Sequence, residues 1–176
     1  MILIIKTNKE TLHDLEFVKP IEDIIKDKVK IVSCAQLNED DFKKASHIII
    51  SGTSLQDNHF VKYLGKFYFL KTTKKPVLGI CAGAQLIAMT FGSKINKETE
   101  IGYYHEEFTK PFLGLAGKHE VYHLHNNYCT LPKDFDEFTD SKIPQAIKHK
   151  TLPIYATLFH PEVRNKELIK EFLKLK

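Results

Sequence analysis

The sequence predicts an α/β fold in one domain, and three observations carry that expectation. Four short runs rich in Ile, Val and Leu occupy the first half of the chain, at residues 2–5, 29–33, 47–51 and 77–80. None alternates apolar with polar residues, as suits strands buried on both faces of a parallel sheet. Segments with helical spacing lie between them, and strand–helix–strand repetition implies right-handed crossovers.

Taken in order, the first helical pattern carries Val18, Ile21, Ile24 and Ile25, and the second is the short stretch 39–45. The third, 60–71, has helical spacing but is crowded with aromatics. After Gly92 the pattern changes. Residues 101–108 and 119–129 read as strands, with turn signals at Pro111, Gly114 and Gly117 between them. Residues 143–148 and 153–159 read as two more strands joined by a short polar turn. Leu168, Ile169, Phe172 and Leu173 place an apolar stripe on a closing helix. There is no repeat, linker or low-complexity segment, so residues 1–176 are expected to form a single domain.

At 176 residues the chain can bury roughly two-thirds of its unfolded surface without staples. Its charge of +4 rests almost wholly on lysine, Arg164 being the only arginine. Lysines interleaved with Asp and Glu describe a solvated surface, and the arginine forks and basic–aromatic clusters of nucleic-acid readers are missing. No nucleic-acid partner is expected. Cys34, Cys81 and Cys129 are few, odd in number and widely spaced, which does not suit a disulfide framework. Lys6 interrupts the apolar N-terminus too early for a signal peptide. No apolar run approaches the ~18 residues of a membrane helix, so no membrane association and a cytoplasmic setting are expected.

The segment 76–91 carries the first chemistry. An apolar strand runs into Gly79-Ile80-Cys81-Ala82-Gly83, and a helical pattern starts at once. This is a cysteine form of the G-x-S-x-G nucleophile elbow. Side chains at the flanking positions of so sharp a turn would strike the neighbouring strand and helix, hence the glycines. The helix N-terminus aims free N–H groups at the sulfur, an arrangement that suits a thiolate. The Ala82 N–H would point where an oxyanion develops. Taken alone, the same pattern also suits a buried structural cysteine in a glycine-rich turn.

The second segment is 153–162, an apolar run ending in Phe159-His160-Pro161-Glu162. A thiol nucleophile needs a base, and the base needs a group to hold its tautomer. Pro161 keeps His160 extended, and from two residues on the Glu162 side chain can return beside the imidazole. His119, His123 and His125 would share one face of a strand and could reach a metal. No carboxylate or cysteine stands at ligand spacing to complete the set. Solvent-facing histidines at the rim of the site are therefore expected, with no metal and no cofactor. No P-loop or dinucleotide fingerprint is present, so the chain is not expected to activate a substrate with ATP.

Gly79-Ile80-Cys81-Ala82-Gly83-Ala84-Gln85, followed some 75 residues later by Phe159-His160-Pro161-Glu162, resembles the class I (triad) glutamine amidotransferases. The resemblance covers most of the chain, and it implies an open, mixed but mostly parallel sheet with helices on both faces, flavodoxin-like. The stretches 145–163 and 122–132 look most like the glutaminase of GMP synthase. The resemblance implies a nucleophile at Cys81, a general base and acid at His160 and an orienting carboxylate at Glu162. Gln85 matches the glutamine that helps to hold the substrate. Gly52 and Thr53 fall in the oxyanion loop, and Ile101-Gly102-Tyr103 resembles the strand whose backbone binds the amino-acid end of glutamine.

The implied reaction is hydrolysis of the glutamine amide, with ammonia passed to a separate ATP-dependent synthetase, GMP synthetase being the favoured partner. Exposed aromatics near Phe108 or Tyr128 are a candidate contact surface. Thr53-Ser54 replaces the family's Gly-Pro, and threonine tolerates unusual φ values poorly. Residues 6–9 lack the Gly-Gln-Tyr signature usual after the first strand of GMP synthase. Two other readings remain at this stage: a cysteine hydrolase of the same fold acting on γ-glutamyl substrates, and a non-catalytic regulatory module.

Overall fold

A computed structural model describes all of residues 1–176. Strands β1 (Ile2–Lys6), β2 (Val29–Ser33), β3 (His47–Ile50) and β4 (Val77–Ile80) follow the four apolar runs. The later strands are β5 (Ile95–Phe112), β6 (Leu115–Cys129), β7 (Phe135–Glu137), β8 (Ala146–His149) and β9 (Ile154–Thr157). Seven of them form one sheet in the order β2-β1-β3-β4-β9-β8-β7. Pairing is parallel from β2 through β9 and antiparallel at β8 and β7, so the sheet is mixed and mostly parallel.

Alternate residues of each central strand enter opposite apolar layers. Leu3, Ile5, Ile48 and Ile50 pack with Phe60, Phe67 and Leu86 on one face. Ile2, Ile4, Ile49, Leu78 and Ile80 pack with Ile21, Phe159 and Phe172 on the other. The first layer is closed by α3 (Glu39–Lys44), α4 (Ala82–Thr90) and the segment His59–Lys71; the second by α2 (Lys19–Ile24), which follows the one-turn α1 (Asp14–Phe17), and by α5 (Lys166–Phe172). This two-sided burial is why the runs lack polar alternation. No helix is long and apolar enough to cross a membrane.

Two expectations of local structure are corrected. His59–Lys71 forms 3-10 turns instead of an α-helix. Its aromatics have weak α propensity, and the buried pair Phe67 and Leu70, three residues apart, suits a three-residue period. The strands expected at 101–108 and 119–129 extend to 18 and 15 residues, paired as a separate hairpin that turns at Leu113-Gly114. β7 has only three residues, too few to leave a periodic signal.

Candidate active site

β4 ends at Ile80, and α4 begins two residues later, so Cys81 alone makes the corner. Its backbone, at φ 50° and ψ −104°, lies where side-chain-bearing residues are rarely found. The corner closes only around glycines. A Cβ on Gly83 would lie 2.2 Å from the Ile50 carbonyl oxygen, and one on Gly79 would lie 2.5 Å from Ile87 Cδ1 and 2.7 Å from the Gly83 backbone. The Cys81 N–H donates to the Thr157 carbonyl at 2.8 Å, which ties the corner to β9.

The chain leaves β9 through Leu158 and Phe159, and His160 follows with its N–H donating to the Tyr122 carbonyl of β6 at 2.8 Å. The His160 ring is buried beside Phe17, 5.7 Å between ring centroids, and Nδ1 lies 2.7 Å from Glu162 Oε1. Glu162 is also buried, and the return from position 162 to the imidazole is the one expected from the extended His-Pro turn. Nε2 of His160 is buried without a hydrogen-bond partner in the protein. Burial alone would depress the imidazole pKa, but the Glu162 carboxylate and Cys81 hold it well above 6.5.

Gly52 sits between these groups. A Cβ there would lie 2.7 Å from His160 Cε1 and 3.4 Å from the Cys81 Cβ, so both functional side chains face the same backbone. Its loop is held by Thr7, whose Oγ1 donates to the Ser51 and Gly52 carbonyls at 3.0 and 2.9 Å. Thr53 is buried, and its hydroxyl donates to Asp57 Oδ2 at 3.1 Å. Thr53 is not among the positive-φ residues, so its backbone carries none of the strain that the sequence raised.

Cys81, Ala82, Gln85 and Thr53 line one cleft of about 250 Å³, together with Leu124 and Asn127 of β6. Gln85 is buried and donates to the Asn127 carbonyl at 2.9 Å, and the Cys81 thiol lies 3.5 Å from the Leu124 carbonyl. The 124–127 segment is thus the far wall of the cleft. Its side-chain types gave no chemical signal in the sequence, because it takes part through backbone carbonyls.

Gly102 and Tyr103 are not brought into the cleft. Gly102 pairs with His123 across the hairpin, and Tyr103 is 60% exposed with its ring against Tyr122. Phe108 is buried in the core, so it is not an exposed aromatic; Tyr103 and Tyr104 are the exposed ones on this hairpin. Cys34 and Cys129 are buried free thiols whose pKa burial pushes up to about 12, which separates them from any thiolate chemistry.

The histidine expectation is corrected as well. His123 and His125 are buried instead of facing solvent, and a carboxylate does complete the set: Glu100, directly opposite His125 in the hairpin register. Spacing along one strand could not reveal it, since the partner comes from the other strand. Burial pulls the His125 pKa down against the pull of Glu100. For Glu100, burial is outweighed by hydrogen bonding and charge from His123, with Gln145 and His125 adding to it, and the carboxyl stays below its usual value.

A parallel sheet with a cysteine at a glycine-walled strand–helix corner and a buried His–Glu pair beside it defines a class of protein, and the family profile agrees. The chain belongs to the class-I glutamine amidotransferase family, whose profile matches residues 23–176. Within that family it is similar to the glutamine-hydrolysing subunits of GMP synthases. That of Thermoplasma acidophilum is 41% identical over 100 residues, 51% of this chain and 49% of that protein, about half its length. That of Pyrococcus furiosus is 32% identical over 158 residues, 82% of this chain and 83% of that one. The crystal structure of a protein from Thermoplasma acidophilum, provisionally assigned as such a GMP synthase subunit, superposes with a TM-score of 0.82 at 26% identity, covering 98% of this chain and 92% of that one.

Proposed function

We propose that the chain, acting as one domain over residues 1–176, hydrolyses the side-chain amide of glutamine and delivers the ammonia to a separate ATP-dependent synthetase. The observation that carries this is His160: buried, tied through Nδ1 to Glu162 at 2.7 Å, with Nε2 left free on the side where Cys81 stands. The Cys81 thiolate attacks the amide carbon, and the carbonyl oxygen takes the negative charge. The N–H groups of Ala82 and Thr53 are the donors we assign to that oxyanion. His160, as imidazolium, gives its Nε2 proton to the departing nitrogen, which leaves as ammonia and a γ-glutamyl thioester on Cys81. Neutral His160 then takes a proton from water, the hydroxide attacks the thioester, and the proton returns to the thiolate–imidazole pair as glutamate leaves. Glu162 holds the tautomer and balances the imidazolium charge.

GMP synthetase is the acceptor we favour, because the relatives that match both short and long stretches of this chain are named as glutamine-hydrolysing subunits of GMP synthase. Three free cysteines are compatible with the reducing cytoplasm.

A diazo-ketone glutamine analogue tests the reading directly. Peptide mass spectrometry should find the adduct on Cys81, glutamine should protect against it, and Cys81→Ala should take up none. Ammonia release by that variant should fall by roughly 10⁴-fold or more, as for other nucleophile deletions. Absence of labelling even in the presence of GMP synthetase would overturn the glutaminase reading. Cleavage of γ-glutamyl peptides without ammonia release from glutamine would replace it with the hydrolase.

A further inference from the structure

The β5–β6 hairpin buries a polar cluster that the proposed glutaminase chemistry does not use. Glu100 Oε2 lies 2.8 Å from His123 Nδ1 and 3.0 Å from His125 Nε2. Both rings are buried, at 0% and 2% exposure, and sit on the same face of β6 two residues apart. The remaining ring nitrogens also face acceptors. His123 Nε2 is 3.3 Å from Glu106 Oε1, and His125 Nδ1 is 3.2 Å from the Glu98 carbonyl.

These contacts require more protons than neutral rings hold. Each neutral imidazole has one N–H, and each ring here faces two acceptors. If the N–H groups point outward, to Glu106 and to the Glu98 carbonyl, two nitrogen lone pairs converge on a carboxylate oxygen. That convergence is unfavourable in a buried site unless a cation occupies it. The outward contacts are those that orient metal-bound histidines, one to a carboxylate and one to a backbone carbonyl.

A second observation points the same way. Gln145 approaches the same Glu100 oxygen at 2.7 Å through Nε2, while its Oε1 is buried with no partner. An amide turned by 180° has nearly the same shape and would present that oxygen to the cluster.

We propose that Glu100, His123 and His125 bind one divalent transition-metal ion of the zinc type, with Gln145 Oε1 or a water in the fourth position. Two imidazoles, a carboxylate and a fourth neutral oxygen donor suit tetrahedral zinc. Ligand atoms around zinc stand roughly 3.3–3.5 Å apart when bonds are about 2.0–2.1 Å. The cluster needs to open by only a few tenths of an ångström. The ion would clasp β5 to β6 and to Gln145, just ahead of β8, one residue from the Leu124 carbonyl that faces Cys81. It would set the stiffness of the cleft's far wall without touching the reacting atoms.

The test uses the untagged full-length chain carrying Cys81→Ser, so that the reactive thiol does not compete for the metal. Calorimetric titration with zinc chloride should show one equivalent bound, with a dissociation constant on the order of 1 µM or tighter. Cobalt(II) should give the visible bands of a tetrahedral N/O site without sulfur charge transfer. Glu100→Gln keeps the side-chain shape and should weaken binding by more than the roughly 10–100-fold expected for losing an outer partner. Glu106→Gln, which removes an outer partner, should weaken it within that range, and circular dichroism would confirm that both variants fold. No binding, binding that Glu100→Gln leaves unchanged, or cobalt spectra with thiolate bands would each overturn the proposal. The cluster would then be a set of ion pairs with protonated rings.

Discussion

The corner at Cys81 and the hairpin turn at Leu113 are the two places where a residue other than glycine has positive φ, at 50° and 45°. They are held there by opposite means. Cys81 lies between two core layers, with glycines at positions 79 and 83 that have no room for a methyl group. Leu113 lies in a two-residue loop with Gly114, between the paired residues Phe112 and Leu115. Both loop residues have positive φ, as the common two-residue hairpin turns require, so local twist explains it. Strain at a hairpin tip follows from the turn, whereas strain imposed by tertiary packing needs a reason, and at Cys81 that reason is to present the sulfur.

Alanine at a glycine of each turn should separate the two mechanisms most sharply. In Gly83→Ala the new methyl meets backbone, the Ile50 carbonyl, which cannot move without shifting β3. We expect a loss of about 3 kcal/mol or more, at the upper end of overpacking effects. In Gly114→Ala the nearest atom is Glu171 Cγ at 3.1 Å, the middle of a flexible side chain. There only the cost of positive φ remains, about 1–2 kcal/mol. Urea unfolding of both variants checks the order, and equal losses would contradict it.

The ionisation of His160 should also mark the corner off from the hairpin tip. Its folded pKa is raised above the unfolded value near 6.5. The folded state therefore holds the proton more tightly, and the resulting stability is fully present below pH 6.5. It is lost as pH rises from there through the folded pKa. Melting temperatures taken across that window should fall in the native chain, and Glu162→Gln should flatten the slope by removing the carboxylate that raises the pKa. A slope that survives Glu162→Gln would assign the effect to another group.

Replacing the nucleophile itself gives a smaller effect. Cys81→Gly and Cys81→Ala both delete the sulfur, but only glycine relaxes the corner. Relief of roughly 1–3 kcal/mol of backbone strain outweighs the greater freedom of unfolded glycine. Cys81→Gly should therefore be the more stable of the two by about 1 kcal/mol, although both should be inactive. A less stable glycine variant would show that packing, and not strain, dominates the corner.

The same contrast explains what was legible in the sequence. The four apolar runs, the glycines around Cys81 and the His160–Glu162 spacing are local patterns, and each has a local physical cause: two-sided burial, close approach, and the reach of a side chain across an extended turn. The hairpin offered less. Glu100 meets His125 only through register, and the register follows from pairing over many residues with shifts at Lys97/Glu100 and Phe108/Phe112. No spacing within one strand carries that information, so a buried cluster looked like a solvent-facing rim. Leu124 and Asn127 were missed for another reason, since they serve the cleft through backbone carbonyls that every residue possesses. The 3-10 segment was misjudged because its apolar spacing fits both helical periods over so short a stretch.

The smallest expected effect lies at the hairpin tip, and it tests the comparison from the other side. Asparagine tolerates positive φ far better than leucine, so Leu113→Asn should recover about 1 kcal/mol of backbone energy. Leu113 also packs, half-buried, against the Phe172 layer, and losing those contacts should cost a similar amount. The two terms nearly cancel, and unfolding free energy should stay within about 0.5 kcal/mol of the native value. Glutaminase activity should not change, because the tip lies outside the cleft lining. A stabilisation well above 1 kcal/mol would mean that the tip is as strained as the corner. Local turn geometry would then no longer account for Leu113, and the hairpin tip would need a functional reason of its own.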